Sequence, residues 1–238
     1  MFLADSGRVD SRTDAKNFIL AGAVCVNGKV IKKPAFDVSF EDEVTVDKTG
    51  KKYVSRGGLK LEAALDSFNI DVSGMLAIDI GASSGGFTDC LLKRGASRVI
   101  AVDSGYGQMV ESLRSDSKVT VIENFNARYM SKEDFEYTPN IAVMDVSFIS
   151  AKHIIPAVYS ILSEDGIFVC LIKPQFEVGR SGLNKKGVVK NDALRKAAVK
   201  DVTDFAACCG FECLGLTESP VIGGDGNIEY LAYFKRVN

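Results

Sequence analysis

Asp79-Ile80-Gly81-Ala82-Ser83-Ser84-Gly85-Gly86-Phe87-Thr88 follows the apolar run Met75-Leu76-Ala77-Ile78 and leads into a predicted helix, Gly86 to Arg94. A glycine-rich turn between a buried strand and a helix lets a ligand approach bare backbone amides. About twenty residues further on, a second apolar run, Val99-Ile100-Ala101-Val102, ends at Asp103. A carboxylate at that separation falls where the ribose hydroxyls of a nucleotide-like ligand lie in a doubly wound sheet. The stretch therefore predicts an α/β domain that binds a ribose-bearing ligand.

Working outward, short apolar runs alternate with helical patterns. Strands are predicted near Leu76–Ile80, Arg98–Val102, Thr120–Ile122, Ile141–Met144, Ile167–Ile172, Phe211–Thr217 and Glu229–Phe234. Helices are predicted near Leu59–Phe68, Gly86–Arg94, Gln108–Ser115, Ala151–Leu162 and Asp192–Cys209. Continuous apolar strands separated by helices imply a mostly parallel sheet covered on both faces. No helix separates the last two strands, so they are predicted to form an antiparallel hairpin at one edge, joined by the loop Pro220 to Asn227.

The first 47 residues read differently. Ser11 is a predicted cap for a helix from Arg12 to Ala21, with Gly22 as its stop. Asn27-Gly28 between two apolar runs predicts a hairpin, and Glu43-Val44-Thr45-Val46 a closing strand. The expected organisation is a small α+β domain over 1–47, a linker over 48–58 and a catalytic-type domain over 59–238.

Composition narrows the class. Hydrophobic residues make up 46% and charged residues 25%, so the chain reads as globular, with no run long enough to span a membrane. No signal peptide is read at the start, and the expected location is the cytoplasm. The six cysteines form no C-x-x-C pair, and His153 is the one histidine, so neither a zinc site nor any other metal is expected. Net charge is −2, which excludes a uniformly basic nucleic-acid binder. Yet the first 60 residues hold 11 Lys+Arg against 8 Asp+Glu, and Lys173 to Lys200 is a second basic stretch. Local basic faces on a neutral body fit RNA binding, and they also fit a solvated helix face.

The loop itself reads G-x-S-x-G-G rather than G-x-G-x-x-G. A pyrophosphate needs glycine at the second and third positions of the latter pattern, whereas a cofactor without phosphates does not. Asp79 and Asp89 flank the loop and would repel a pyrophosphate. They suit the amino group and sulfonium of S-adenosylmethionine, and a nicotinamide cofactor or a non-binding turn stays open. Asn126, after the third strand, is placed to flank an adenine. Asp145, Lys173 and Glu229 lie at strand ends on the expected open edge of the sheet, and Lys60 lies on the preceding helix. Two amines and two acids meeting there could activate a ribose 2′-hydroxyl. Lys60 beside Lys173 would help a lysine act as a base. Two ordinary surface salt bridges are the plain alternative.

Six segments together resemble the hemolysin A-type (TlyA) ribosomal RNA 2′-O-methyltransferases of the FtsJ-like group. They are Ser55 to Leu61, Asp79 to Thr88, Met144 to Ser150, Ile172 to Glu177, Lys186 to Val189 and Gly226 to Tyr230. The resemblance implies a Rossmann-like S-adenosylmethionine-dependent methyltransferase fold, a seven-stranded mixed sheet with an antiparallel last strand. It also implies a small N-terminal S4-like RNA-binding domain, which begins without the usual opening residues and is expected to be N-terminally truncated. It places a catalytic tetrad on Lys60, Asp145, Lys173 and Glu229. Cofactor contacts are expected from Gly81, Ser83, Gly85, Phe87, Asp103 and Asp145, joined by Asp79 and Asn126 from the loop reading above. RNA contacts are expected from Arg12, Lys16, Lys29, Lys32, Lys33 and Arg56. The expected partner is ribosomal RNA or a ribosomal subunit. Alternative readings are a catalytically idle RNA-binding or ribosome-assembly protein, a small-molecule methyltransferase and a membrane-damaging hemolysin.

Overall fold

The first unit, Met1–Lys52, is built on a small apolar centre. In the computed structural model, which describes residues 2–20, 23–39, 41–46, 52–223 and 226–237, it contains helices α1 (Phe2–Asp5) and α2 (Arg12–Leu20). Strands β1 (Val24–Val26), β2 (Lys29–Val30) and β3 (Val44–Val46) form a sheet in the order β2-β1-β3. Ser11 Oγ accepts the Asp14 amide at 3.0 Å, which caps α2. Ala21 and Gly22, the expected end of that helix, lie outside the described residues, as do Asp47 and residues 48–51 of the expected linker. Asn27 and Gly28 both have positive φ, 51° and 75°, the conformation a two-residue hairpin needs. Leu3, Ala15, Phe18, Val24, Val26 and Val44 pack beneath the sheet.

The second unit, Tyr53–Asn238, is a doubly wound sheet. Its helices are α3 (Gly57–Ser67), α4 (Gly86–Lys93), α5 (Glu111–Arg114), α6 (Ile155–Ile161) and α7 (Asp192–Cys208). Its strands are β4 (Leu76–Ile80), β5 (Arg98–Val102), β6 (Val119–Ile122), β7 (Ile141–Met144), β8 (Ile167–Ile172), β9 (Phe211–Glu218) and β10 (Tyr230–Arg236). Among the described residues these seven strands order as β6-β5-β4-β7-β8-β10-β9. The first five run parallel, and β10 is antiparallel to both β8 and β9. The predicted seven-stranded mixed sheet is therefore present. The last strand inserts beside β8 and leaves β9 at the edge.

Strand alternation builds two cores. Ile78, Ile80, Ala142, Met144, Phe168, Cys170 and Ile172 face the α6 and α7 side. Ala77, Ile141, Val143, Val169 and Leu171 face α3 and α4. Both faces are buried, which is why these strands read as unbroken apolar runs. Residues 53–58, expected as linker, belong to this unit. Tyr53 is buried and donates its hydroxyl to Glu62 Oε1 at 2.8 Å, and the Val54 amide donates to Asp89 Oδ2 at 2.8 Å.

Candidate active site

The turn after β4 is held open by its glycines. Gly81 has φ of +83°, and a Cβ there would lie 2.6 Å from the Asp145 carbonyl oxygen, so only glycine lets β4 and β7 end this close together. Ser83 also takes a positive φ, 47°, which aims its amide at Asp103. Asp103 Oδ2 accepts that amide at 2.7 Å, and Oδ1 accepts the Gly105 amide at 2.7 Å. One carboxylate thus fixes the two loops that follow β4 and β5.

Between these loops and the end of β7 lies a cavity of about 450 Å³, a volume that suits a nucleoside-sized ligand. Of the expected cofactor residues, Gly81, Ser83, Asp103, Asn126 and Asp145 line it. Asp79, Gly85 and Phe87 do not; they support it from below. Gly85 takes φ of +93° at the start of α4, and Phe87 packs into the core against α3. Asp79 is fully buried. Its Oδ2 accepts the Thr88 hydroxyl at 2.7 Å, while Oδ1 meets no donor among the described residues. Burial, with the nearby charges of Asp145 and Asp103 adding to it, pushes its carboxyl up to about 7 against the pull of Thr88.

The cavity's charge is decisive. It is lined by Asp103 and Asp145 and, among the described residues, by no lysine or arginine. Such a lining disfavours a pyrophosphate and favours a cation. Asp79, buried within electrostatic reach of Asp103 and Asp145, keeps one carboxylate oxygen without a donor among the described residues.

The four expected catalytic residues come from distant parts of the chain to one edge. In the β8–β10 ladder Tyr230 faces Ile172, so Glu229 and Lys173 are opposed one step beyond its end. Lys173 Nζ lies 2.5 Å from Asp145 Oδ1, with side chains 10% and 20% exposed. Lys60 Nζ lies 2.5 Å from Glu229 Oε2, with side chains 11% and 3% exposed. Each amine is therefore held by its own carboxylate. The buried pairs exclude the reading of ordinary surface salt bridges.

Close helix packing places Lys60. A Cβ on Gly58 would lie 2.3 Å from the Tyr53 ring, and one on Gly86 would lie 2.2 Å from Ser55 Oγ, so glycines bring α3 and α4 together at their N-termini. Gly223 does the same for Glu229, since a Cβ there would lie 2.6 Å from its Oε1.

Several residues of this edge escaped the sequence reading. Lys173 Nζ also donates to Ser147 Oγ at 2.8 Å, and Ser147 lines the cavity. Glu177 accepts the Ser150 hydroxyl at 2.6 Å and the Ala151 amide at 2.9 Å. Phe148, 92% exposed with φ of 65°, sets its ring 5.3 Å from that of Phe176. The loops 145–151 and 173–177 are thus cross-braced along their length. Ser147, Phe148, Ser150, Phe176 and Glu177 fall inside quoted motif segments, two to five positions from Asp145 or Lys173, and that spacing was their only signal.

Arg12, Lys16, Lys29, Lys32 and Lys33 are all exposed on the first unit, and Arg56 is exposed at the start of α3 in the second. No cluster of His, Cys, Asp or Glu able to hold a metal occurs among the described residues, and no helix there is long and apolar enough to cross a membrane.

A doubly wound sheet with a reversed last strand, and an acidic nucleoside-sized cavity at the carboxyl ends of its parallel strands, defines the methyltransferase class of α/β proteins. Comparison with known proteins carries this further. The FtsJ-like methyltransferase family profile matches residues 53–236, and the S4 domain profile matches residues 1–44. The chain is 44% identical to "Hemolysin A" of Brachyspira hyodysenteriae, over 98% of this chain and 97% of that protein. It is 41% identical to "16S/23S rRNA (cytidine-2'-O)-methyltransferase TlyA" of Mycobacterium tuberculosis, over 98% of this chain and 87% of that protein. A solved structure from Streptococcus thermophilus, described as a candidate hemolysin, superposes with a TM-score of 0.81 at 43% identity, covering 99% of this chain and 86% of that one. The chain belongs to the FtsJ-like methyltransferase family, in its hemolysin A/TlyA group, and carries an S4 domain.

Proposed function

We propose that this chain, acting in the cytoplasm, methylates the 2′-hydroxyl of a cytidine ribose in ribosomal RNA, with S-adenosylmethionine as donor. The observation that carries the reading is Lys173, a half-buried amine pinned to Asp145, which itself lines the cavity. Kinship to a protein named as an rRNA cytidine 2′-O-methyltransferase supports the substrate. S-adenosylmethionine, when bound, supplies an electrophilic methyl on a positively charged sulfur.

The chain's own residues do the rest. Asp103 keeps lone pairs free beside its two amide bonds and can accept ribose hydroxyls, and Asn126 lies toward the base. Asp145 and Asp79 supply negative charge for a cationic ligand. Lys173, as the free amine, takes the proton from the 2′-hydroxyl as the new oxygen–carbon bond forms, and Asp145 stabilises the ammonium that results. The Lys60–Glu229 pair closes the same edge and fixes the approach of the ribose. Alignment in a dry cleft is the main source of rate, and the base adds about 10²- to 10⁴-fold. The exposed cations of the S4 domain, with Arg56, are assigned to RNA phosphates.

The direct test is transfer of labelled methyl from S-adenosylmethionine to ribosomal subunits, followed by nucleoside analysis of the digested RNA. The expected product is 2′-O-methylcytidine. Absence of label in both subunits and in naked ribosomal RNA would overturn the reading, and leakage from liposomes treated with pure protein would favour lysis instead.

Ser147 offers a finer prediction. A neutral lysine amine has two N–H groups and one lone pair. Ser147 Oγ accepts one of these N–H groups at 2.8 Å, and the Asp145 carboxylate holds the nitrogen as its ion-pair partner. Ser147→Ala should lower kcat by about tenfold to a hundredfold, the worth of a hydrogen bond from the ammonium that forms as the proton is taken, with KM for RNA unchanged. Ser147→Thr, which keeps the hydroxyl at this exposed position, should restore kcat.

A further inference from the structure

The basic stretch from Lys173 to Lys200 is resolved by the structure into two kinds of cation. Lys173 pairs with Asp145, Arg195 and Lys196 pair with Asp192, and Lys200 pairs with Asp204. Arg180, Lys185, Lys186 and Lys190 are exposed and, among the described residues, have no ionic partner. The helix that follows neutralises its own charges, whereas the loop before it does not.

That loop is firmly built. Asn184 Oδ1 accepts the Lys186 and Val188 amides at 2.8 and 3.0 Å, and the Gly187 amide donates to the Asn184 carbonyl at 2.9 Å. Gly187 supplies the positive φ, 73°, that the turn requires. Arg195 donates to the carbonyls of Val189 and Lys190, both at 3.0 Å. Asn227, 1% exposed, accepts the Val189 amide and donates to the Gly187 carbonyl, each at 3.0 Å. Asn227 lies two residues before Glu229, so the loop is fastened to the same segment that carries a tetrad residue. Its backbone groups turn inward to these partners, and its three lysines stay in solvent.

We infer that the loop from Asn184 to Lys190 is a phosphate grip, in which Lys185, Lys186 and Lys190 bind backbone phosphates of the RNA strand entering the catalytic cavity. This rests on the RNA reading above and adds to it a second contact surface, within the catalytic unit and separate from the S4 domain. Three unpaired ammonium groups fit a polyanion with closely spaced charges better than a single carboxylate. A backbone already fixed by hydrogen bonds loses little freedom on binding, so the array is ready for its ligand.

The test compares the full chain with a triple variant, Lys185→Ser, Lys186→Ser and Lys190→Ser. Binding to purified ribosomal RNA is measured across a salt series, alongside methyl transfer and S-adenosylmethionine affinity. Each lost phosphate contact should flatten the salt dependence by about 0.7 to 0.9 in log–log slope, or about 2 to 3 for the set. KM for RNA should rise about tenfold near physiological salt, with kcat at saturating RNA and cofactor affinity unchanged. Arginine at all three positions should restore binding. An unchanged slope and KM would overturn the grip. So would a fall in kcat at constant KM, which would make the loop a support for Glu229. The binding arm decides the grip even if no rRNA is methylated, and the turnover arm decides the reaction.

Discussion

Replacing Lys173 with arginine is expected to abolish methyl transfer while leaving the fold and cofactor affinity intact. Arginine keeps a cation against Asp145, so the buried pair is not broken and its carboxylate is not left alone. Removing one partner of such a pair outright costs about 3–5 kcal/mol, which makes Lys173→Ala a poorer probe. Guanidinium cannot give up its proton in a protein, so the variant cannot serve as a base. The expected loss in kcat is about a thousandfold, within the range for a positioned general base. S-adenosylmethionine affinity, read by calorimetry, should stay within about twofold. Activity within tenfold of the parent would remove Lys173 from the role of base and leave alignment alone to explain the rate.

The same lysine shows what the sequence could and could not convey. Strands Leu76–Ile80, Arg98–Val102, Ile141–Met144 and Ile167–Ile172 fall on the predicted bounds, because burial on both faces leaves an uninterrupted apolar signal. The predicted helix Gln108–Ser115 shrinks to Glu111–Arg114. Gln108 is diverted to the cavity, where its side chain accepts the Ser83 hydroxyl at 3.0 Å. The predicted helix Ala151–Leu162 opens instead with a 3-10 turn at Ala151–His153, held by Glu177, before α6 begins. Neither departure leaves a trace in hydrophobic periodicity, since each is set by a side chain from another segment. The insertion of β10 between β8 and β9 was equally hidden, because alternation reports a strand's faces and not its neighbours. At the site, residue types and strand-end positions pointed to four polar groups on one edge. Which amine meets which acid depends on a loop closure spanning 169 positions between Lys60 and Glu229, and no local pattern encodes it.

Asp79 should make both stability and ligand affinity depend on pH, with opposite signs. Burial raises its folded value to about 7, far above that of an unfolded aspartate. Between about pH 4 and pH 7 the folded chain therefore keeps a proton that the unfolded chain has released. Stability is greatest below that window, falls as pH rises through it, and levels off above about 7. The slope from this group alone approaches about 1.4 kcal/mol per pH unit, so the loss from pH 5 to pH 7 is of order 2–3 kcal/mol. Asp79→Asn carries no titrating proton, and its thermal-melt profile in ligand-free solution should be flatter by that amount. A cationic ligand in the cavity favours the ionised carboxylate. S-adenosylmethionine affinity in the parent should therefore strengthen from pH 5.5 toward pH 7.5, by up to about tenfold per unit, and then plateau. The variant should bind more weakly and without that trend. Parallel pH profiles for parent and variant, in both melting and binding, would show that Asp79 keeps one protonation state throughout and that its unpartnered oxygen has no part in ligand selection.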